Sequence, residues 1–208
     1  MTDFRRHAPA TQRNREFIFE VLDAVLPARG TVLEVASGTG QHVSYFASRR
    51  REIQWLPTDL DRDALPSIDS WCEGVANVAP AQTLDVCEPW PSLSVDALVN
   101  INMIHISPWR TCLGLFEGAS QVIKPGGILY LYGPFKRGGQ HTAASNEQFD
   151  QSLRSSDASW GVRDIDDVTA TAGQNGFDLD RVVEMPANNL SVVFRQRGWK
   201  SMKQELGP

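Results

Sequence analysis

Residues 31–40 read Thr-Val-Leu-Glu-Val-Ala-Ser-Gly-Thr-Gly, a β-branched and aliphatic run that passes an acid and breaks into glycines. Thr31–Ala36 suits a short buried strand. Gly38 and Gly40 let the backbone turn sharply and approach a ligand, and the helix that follows from Gln41 offers free N–H groups at its start. A dinucleotide fingerprint would need a third glycine at position 43, which is Val43. Glu34, just before the turn, would repel a pyrophosphate but accept from an ammonium group, so a nicotinamide dinucleotide is disfavoured.

Downstream, Ile53-Gln-Trp-Leu-Pro-Thr-Asp59 reads as a second strand ending in an acid, placed to bind the two hydroxyls of a ribose. Asp85 follows a weak third strand, Ala81–Leu84, within reach of an adenine edge. Together these residues describe a pocket for a nucleoside with a cationic, amino-acid-like tail, and S-adenosyl-L-methionine is that molecule.

Around this centre two periods alternate. Asn14–Leu26 carries Phe17, Ile18, Val21, Leu22 and Val25 at helical spacing, with Pro27 as a stop. Gln41–Arg50, Asp63–Gly74, Trp109–Ile123, Asn146–Ser155 and Asp164–Asn175 also read as helices. Val95–Ile101, Ile128–Tyr132, Phe177–Met185 and Leu190–Arg195 read as strands, the last two joined by a tight turn over Pro186–Asn189. Strands separated by helices imply βαβ units and a mostly parallel sheet. The final pair has no helix between its strands, so the last must run antiparallel.

The 208 residues include 20 Lys and Arg against 25 Asp and Glu, a net charge of −5 that disfavours a general nucleic-acid binder. No run is long and apolar enough to span a membrane, and the first residues lack the apolar core of a signal peptide. Cys72, Cys87 and Cys112 have no metal or redox spacing and suit a reducing compartment, so the expected location is the cytoplasm. His7, His42, His105 and His141 show no ligand spacing, and Asp61 and Asp63 lack a third partner, so no metal is expected. The Asp164–Asp167 cluster suits a helix N-terminus.

The order Glu34-x-Ala36-x-Gly38-x-Gly40, then Thr58-Asp59-Leu60-Asp61, then Leu84-Asp85-Val86, then a strand into Asn102-Met-Ile-His105 resembles the class I S-adenosylmethionine-dependent methyltransferases. EVASGTGQH, INMIHISPW, LYGPFKRGG and EMPANNLS more closely resemble a small bacterial and animal group that includes methyltransferase-like protein 26. The resemblance runs from about Arg13 to Arg195 and departs from the commonest pattern at Ala36, where glycine is usual. It implies a Rossmann-like fold in three α/β/α layers, with a seven-stranded, mostly parallel sheet. It also implies one domain over residues 1–208, with 134–161 as a substrate lid.

By this resemblance, Ala36, Ser37, Gly38 and Gly40 hold the methionine part of the cofactor, and Glu34 holds the turn or the cofactor amine, directly or through water. Asp59 takes the ribose, Leu60 packs on the adenine, and Asp85 with Val86 takes its amino edge. His42 donates to the cofactor and Asn102 sits against it. His105 faces the methyl group or the acceptor and is the candidate base, with Tyr132 or His141 behind it. Arg13, Asn14, Trp109, Phe135, Asn146, Met185, Asn188 and Asn189 are the candidate acceptor contacts. The expected reaction is direct methyl transfer to an N, O or S atom of a small molecule, driven by proximity and orientation. A cofactor-binding regulatory or scaffold protein without turnover is the alternative. Oligomeric state is not legible.

Overall fold

The computed structural model describes residues 3–198, so the stretch from 199 to the expected domain end at 208 lies outside it. Chain order is α1 (Pro9–Val25), β1 (Gly30–Val35), α2 (Gln41–Arg49), β2 (Ile53–Asp59), α3 (Leu65–Cys72), β3 (Gln82–Thr83), β4 (Val95–Ile101), α4 (Trp109–Val122) and β5 (Ile123–Gly133). There follow β6 (Phe135–Arg137), β7 (Gln140–His141), α5 (Ala144–Ser156), β8 (Arg163–Asp164), α6 (Ile165–Gln174), β9 (Phe177–Met185) and β10 (Asn189–Gln196).

Seven strands form one sheet in the order β3-β2-β1-β4-β5-β10-β9. Pairing is parallel from β3 to β5, and β10 runs antiparallel to both β5 and β9. This is the Rossmann-like, mostly parallel seven-stranded arrangement with an antiparallel end that the sequence implies. The order reverses at β1/β4, the switch point where open α/β sheets bind ligands.

Strand alternation assigns each face its helices. Val32 of β1, Ala97 and Val99 of β4 and Tyr130 of β5 pack with Ile18, Leu22, Val43, Phe46 and Ile68 from α1, α2 and α3. Their neighbours Leu33, Leu98, Leu129 and Leu131 pack with Leu115, Phe116, Val168 and Ala172 from α4 and α6. Both faces are covered, which is why the middles of the central strands, residues 32–33, 97–99 and 128–131, are apolar toward both layers. Each fully buried large side chain contributes about 1.5–3 kcal/mol.

Several boundaries differ from the sequence reading. α1 starts at Pro9, five residues before Asn14, because proline is well suited to a first helical turn although Pro9–Gln12 carry no apolar period. α3 covers only Leu65–Cys72, and β3 only Gln82 and Thr83. β5 reaches back to Ile123, with a register shift between Val95 and Ala97 absorbing the extra residues. Asp164 is the cap of α6, its side chain accepting from the Asp166 N–H at 2.9 Å.

Residues 134–161 hold α5 and two strands of a second, three-stranded sheet. In it β6 pairs antiparallel with β7 and parallel with β8. This excursion is more ordered than the single helix read from sequence. No helix among the described residues is long and apolar enough to cross a membrane.

Candidate cofactor and acceptor cleft

The Gly-rich turn and the end of β2 are tied directly together. The Gly38 N–H donates to Asp59 Oδ2 at 2.8 Å, and the Asp61 N–H donates to Asp59 Oδ1 at 2.9 Å. The Ser37 N–H donates to the Thr58 carbonyl at 2.9 Å, and the Thr58 hydroxyl to the Glu34 carbonyl at the same distance. Gly38 has φ +59°, and a side chain there would begin in open space. Gly40, φ +87°, is needed for a different reason, since a Cβ would fall 2.5 Å from the Ile68 Cα. The second glycine lets α3 close on the turn, and the first leaves the cradle open. Ala36 occupies the left-handed region at φ +59°, a conformation that strains any residue with a Cβ.

Glu34 lies beneath this turn, 2% exposed, and its Oε2 is buried without a hydrogen-bond partner. Burial pushes its carboxyl up to about 8; the Ser37 side chain pulls the other way, and the neighbouring Asp59 carboxylate adds to the rise. A buried carboxylate with an unused oxygen suits a cationic ligand group. Two acids side by side also make a poor seat for a phosphate chain. Leu60 beyond them is 61% exposed. Asp85 is half-buried and caps the Cys87 N–H at 2.9 Å, whereas Val86 is turned into the core.

The candidate acceptor residues separate onto the two faces of the sheet. On the α1 side, His42 Nε2 lies 2.9 Å from Asn14 Oδ1. The Asn14 and Asn189 side chains come near enough to the Tyr132 hydroxyl to lower a pKa that burial raises more strongly. Polar side chains from α1, α2, β5 and β10 therefore gather in one place, and Met185 is buried in the same hydrophobic cluster as Tyr132. Asn146 of α5 donates to the Asn188 carbonyl at 2.8 Å, and Asn188 Nδ2 to Ser145 Oγ at 3.1 Å, so the excursion docks on the hairpin turn. Arg13 is exposed.

Trp109 and Phe135 pack on the opposite face with α4 and α6. Phe135 is fully buried and meets the His105 ring edge-on at 4.9 Å, which removes it from any open wall. His141 sits within the excursion, its Nε2 3.4 Å from Asp150 Oδ2, in company with Lys136 and Arg154 on that carboxylate. A cavity of about 690 Å³ lies beside Trp109, Lys136, Arg154 and Arg163 and takes in none of the turn residues.

The histidines differ from their expected roles. The ordinary imidazole of His42 drops to about 3, first by burial and then by the Arg15 cation. A neutral ring has a single N–H, and facing Asn14 Oδ1 that proton is spent there and not on a cofactor. His105 is 0% exposed, and its pKa is likewise lowered to about 3, mainly by burial and then by Arg163. So weak a base is ill suited to take a proton from an acceptor.

The sequence reading missed two residues that organise this end of the molecule. Asp150, 6% exposed, gathers Lys136, His141 and Arg154 and accepts the Val162 N–H at 2.7 Å. Arg163 donates from Nε to the Ile104 carbonyl at 2.9 Å and from Nη2 to the Ser107 and Ser159 carbonyls, clamping the loop after β4. Only the length of the excursion hinted at either. Residues 3–8 also lie along α3, with the Arg6 N–H on Ser67 Oγ and the Trp71 indole N–H on the Arg6 carbonyl, both at 2.9 Å. Among the described residues no group of three or more His, Cys, Asp or Glu could hold a metal ion.

Solved structures share this architecture. CalO1, a methyltransferase in calicheamicin biosynthesis in its SAH-bound form, matches with a TM-score of 0.74 at 16% identity, over 90% of this chain and 54% of its own. An O-methyltransferase family protein from Burkholderia thailandensis matches at 0.75 and 16%, over 91% and 57%. An O-methyltransferase family 2 protein from Planctomyces limnophilus, in complex with apigenin, matches at 0.72 and 14%, over 88% and 61%. The chain spans little more than half the length of these proteins, and at such identities the likeness is one of fold. Residues 5–196, which hold every strand and helix described above, match the family model described as a protein of unknown function, DUF938, and the chain belongs to that family.

Proposed function

We propose that the protein is an S-adenosyl-L-methionine-dependent methyltransferase that methylates an N, O or S atom of a small-molecule acceptor. The observation that carries this reading is the turn itself. Asp59 is held on the Gly38 N–H at the end of β2, and the unpaired Glu34 Oε2 is buried below it. A ribose diol needs a fixed carboxylate at a strand end, and an ammonium group needs a buried anion. The solved structures that share the fold are described as methyltransferases, one SAH-bound and one with apigenin, which agrees with a small acceptor.

In this reading Glu34, Ser37, Gly38 and Gly40 hold the amino-acid end, Ala36 narrows the cradle, and Asp59, Leu60 and Asp85 hold the nucleoside. When bound, the cofactor would supply a sulfonium methyl group open to direct attack by an acceptor lone pair, the S–CH3 bond breaking as S-adenosylhomocysteine leaves. The protein contributes position and dryness: Tyr132, beside Asn14 and Asn189, forms one wall, and residues 134–161 close over the cleft as a lid. The chain works as one domain in the cytoplasm, on a small molecule and not on a nucleic acid. It falls within the group that includes methyltransferase-like protein 26.

The second reading, a cofactor-binding regulatory or scaffold protein without turnover, draws on the lack of an accessible base at His42 and His105. Transfer of labelled methyl from the cofactor onto a panel of thiols, phenols and amines separates the two. Incorporation above the no-enzyme rate for any member supports the enzyme. Tight cofactor binding with no incorporation across the panel favours the scaffold.

A further inference from the structure

On the α4–α6 face of the sheet, the cavity of about 690 Å³ beside Trp109 has the volume of a small-molecule site and lies apart from the Gly-rich turn. Charge is unevenly spread over its walls. Lys136 of β6, Arg154 of α5 and Arg163 of β8 line it from the small sheet and its helix, and Asp164 and Asp167 line it from the start of α6.

On the first wall the cations outnumber their partners. Lys136 Nζ and Arg154 Nε both reach Asp150 Oδ2 at 3.2 Å, and His141 Nε2 stands 3.4 Å from the same oxygen. Asp150 Oδ1 is taken by the Val162 N–H. One carboxylate therefore serves two permanent cations. Arg163 has no carboxylate partner among the described residues, since its guanidinium donates only to the carbonyls of Ile104, Ser107 and Ser159. Burial lowers its pKa most, and the Arg154 cation pushes the same way, so the two guanidiniums repel each other across this wall. Close packing holds Arg154 in place: a Cβ at Gly161 would fall 2.9 Å from Arg154 Nη2 and 2.6 Å from Asp150 Oδ1.

The two acids of α6 differ in what they have left to offer. Asp164 accepts at Oδ1 from the Asp166 N–H and at Oδ2 from the Gly139 N–H. Asp167 is exposed, and among the described residues its carboxylate makes no hydrogen bond or ion pair. Trp109 adds a half-buried aromatic surface, with the Arg163 guanidinium 5.7 Å from its ring centroid. An anion suits the arginine wall but faces Asp167, and a cation suits Asp167 but faces the guanidiniums. A molecule carrying both charges suits both walls.

We propose that this cavity is a second ligand site, for a zwitterionic small molecule of the α-amino acid class: its carboxylate neutralises Arg154 and Arg163, its ammonium group meets Asp167, and its side chain lies on Trp109. A guanidinium presents paired N–H donors that match a carboxylate. The site needs no cofactor, so it stands whether or not the Gly-rich turn binds S-adenosylmethionine.

The test titrates the full chain with each of the twenty common amino acids. Binding is read by calorimetry and by the indole N–H resonance of Trp109, assigned by its loss in Trp109→Phe. At least one amino acid should bind with a Kd of about 1 mM or tighter and move that resonance saturably. Its analogues lacking the ammonium group or the carboxylate should each bind at least about tenfold more weakly, as should the amino acid itself to Arg154→Gln and to Asp167→Asn. Asp167→Asn breaks no contact of its side chain among the described residues, so it should keep the wild-type denaturation midpoint and its loss of affinity reports the site alone. No amino acid that both binds and moves Trp109, a deaminated analogue that binds as tightly as the amino acid, or undiminished affinity in Asp167→Asn overturns the proposal.

Discussion

Glu34→Gln probes the cleft most deeply, because it removes a charge while keeping the shape. With its carboxyl pushed up to about 8, the unliganded side chain carries about 0.9 of a proton at pH 7 and about 0.25 at pH 8.5. If a cofactor ammonium group settles against Oε2, the carboxylate must ionise on binding. Calorimetry in buffers of different ionisation enthalpy should then show release of about 0.9 proton at pH 7, falling to about 0.25 at pH 8.5. A charge-assisted hydrogen bond contributes roughly 1.5–3 kcal/mol, against which stands the cost of ionising the group, about 1.4 kcal/mol at pH 7 and near zero at pH 8.5. Glu34→Gln should therefore bind S-adenosylhomocysteine nearly as well as wild type at pH 7, release no proton, and fall behind by about tenfold or more at pH 8.5. Proton release near zero in the wild type at pH 7, or a gap that does not widen with pH, would refute the assignment of Glu34 to the amine.

Other outcomes follow from local physics. Ala36→Gly relieves the left-handed strain at φ +59° and should raise stability by about 0.5–1 kcal/mol, read as a higher denaturation midpoint; a lower midpoint counts against strain at that turn. Tyr130→Phe leaves the buried Ser191 hydroxyl, now 2.6 Å from the Tyr130 oxygen, without its partner and should cost about 1–3 kcal/mol; adding Ser191→Ala should recover most of that loss. His42 and His105 have folded values depressed from 6.5 to about 3, so their stabilisation is complete above pH 6.5 and lost as pH falls toward 3. Each contributes a slope of up to about 1.4 kcal/mol per pH unit there, and His105→Gln should remove one such slope from urea titrations across pH 4–6.5. Glu34 acts in the opposite sense, its contribution present below about 4.5 and lost as pH rises through about 8, so Glu34→Gln should flatten the decline between those two values.

The sheet could be read from sequence because its signals are local and repeated. Val32 and Leu33 need only alternate to face two helical layers, and glycines 38 and 40 mark the turn whatever it binds. The helix-free link between β9 and β10 forced the antiparallel end. The acids at 34 and 59 were readable for the same reason, since each ends a recognisable strand. What stayed hidden depends on pairings far apart in sequence. The small sheet rests on strands of two or three residues, Phe135 opposite Arg163 and Lys136 opposite His141, too short for any period. Asp150 and Arg163 look like ordinary surface charges until the fold brings Val162 to one and the Ile104 carbonyl to the other. His105 could be named from sequence, but its role could not. Its ring is buried against backbone groups far along the chain, among them the Arg163 N–H, 58 residues away.

The central claim is that Asp59 and the Gly-rich turn form the seat of S-adenosylmethionine. Calorimetric titration of wild type and Asp59→Ala with S-adenosylmethionine and S-adenosylhomocysteine tests it most directly. The account predicts saturable binding of both by the wild type, and a loss of at least about tenfold in the variant, which keeps its fold but gives up the carboxylate on the Gly38 N–H. Absence of binding by the wild type, or equal binding by the two proteins, would contradict it.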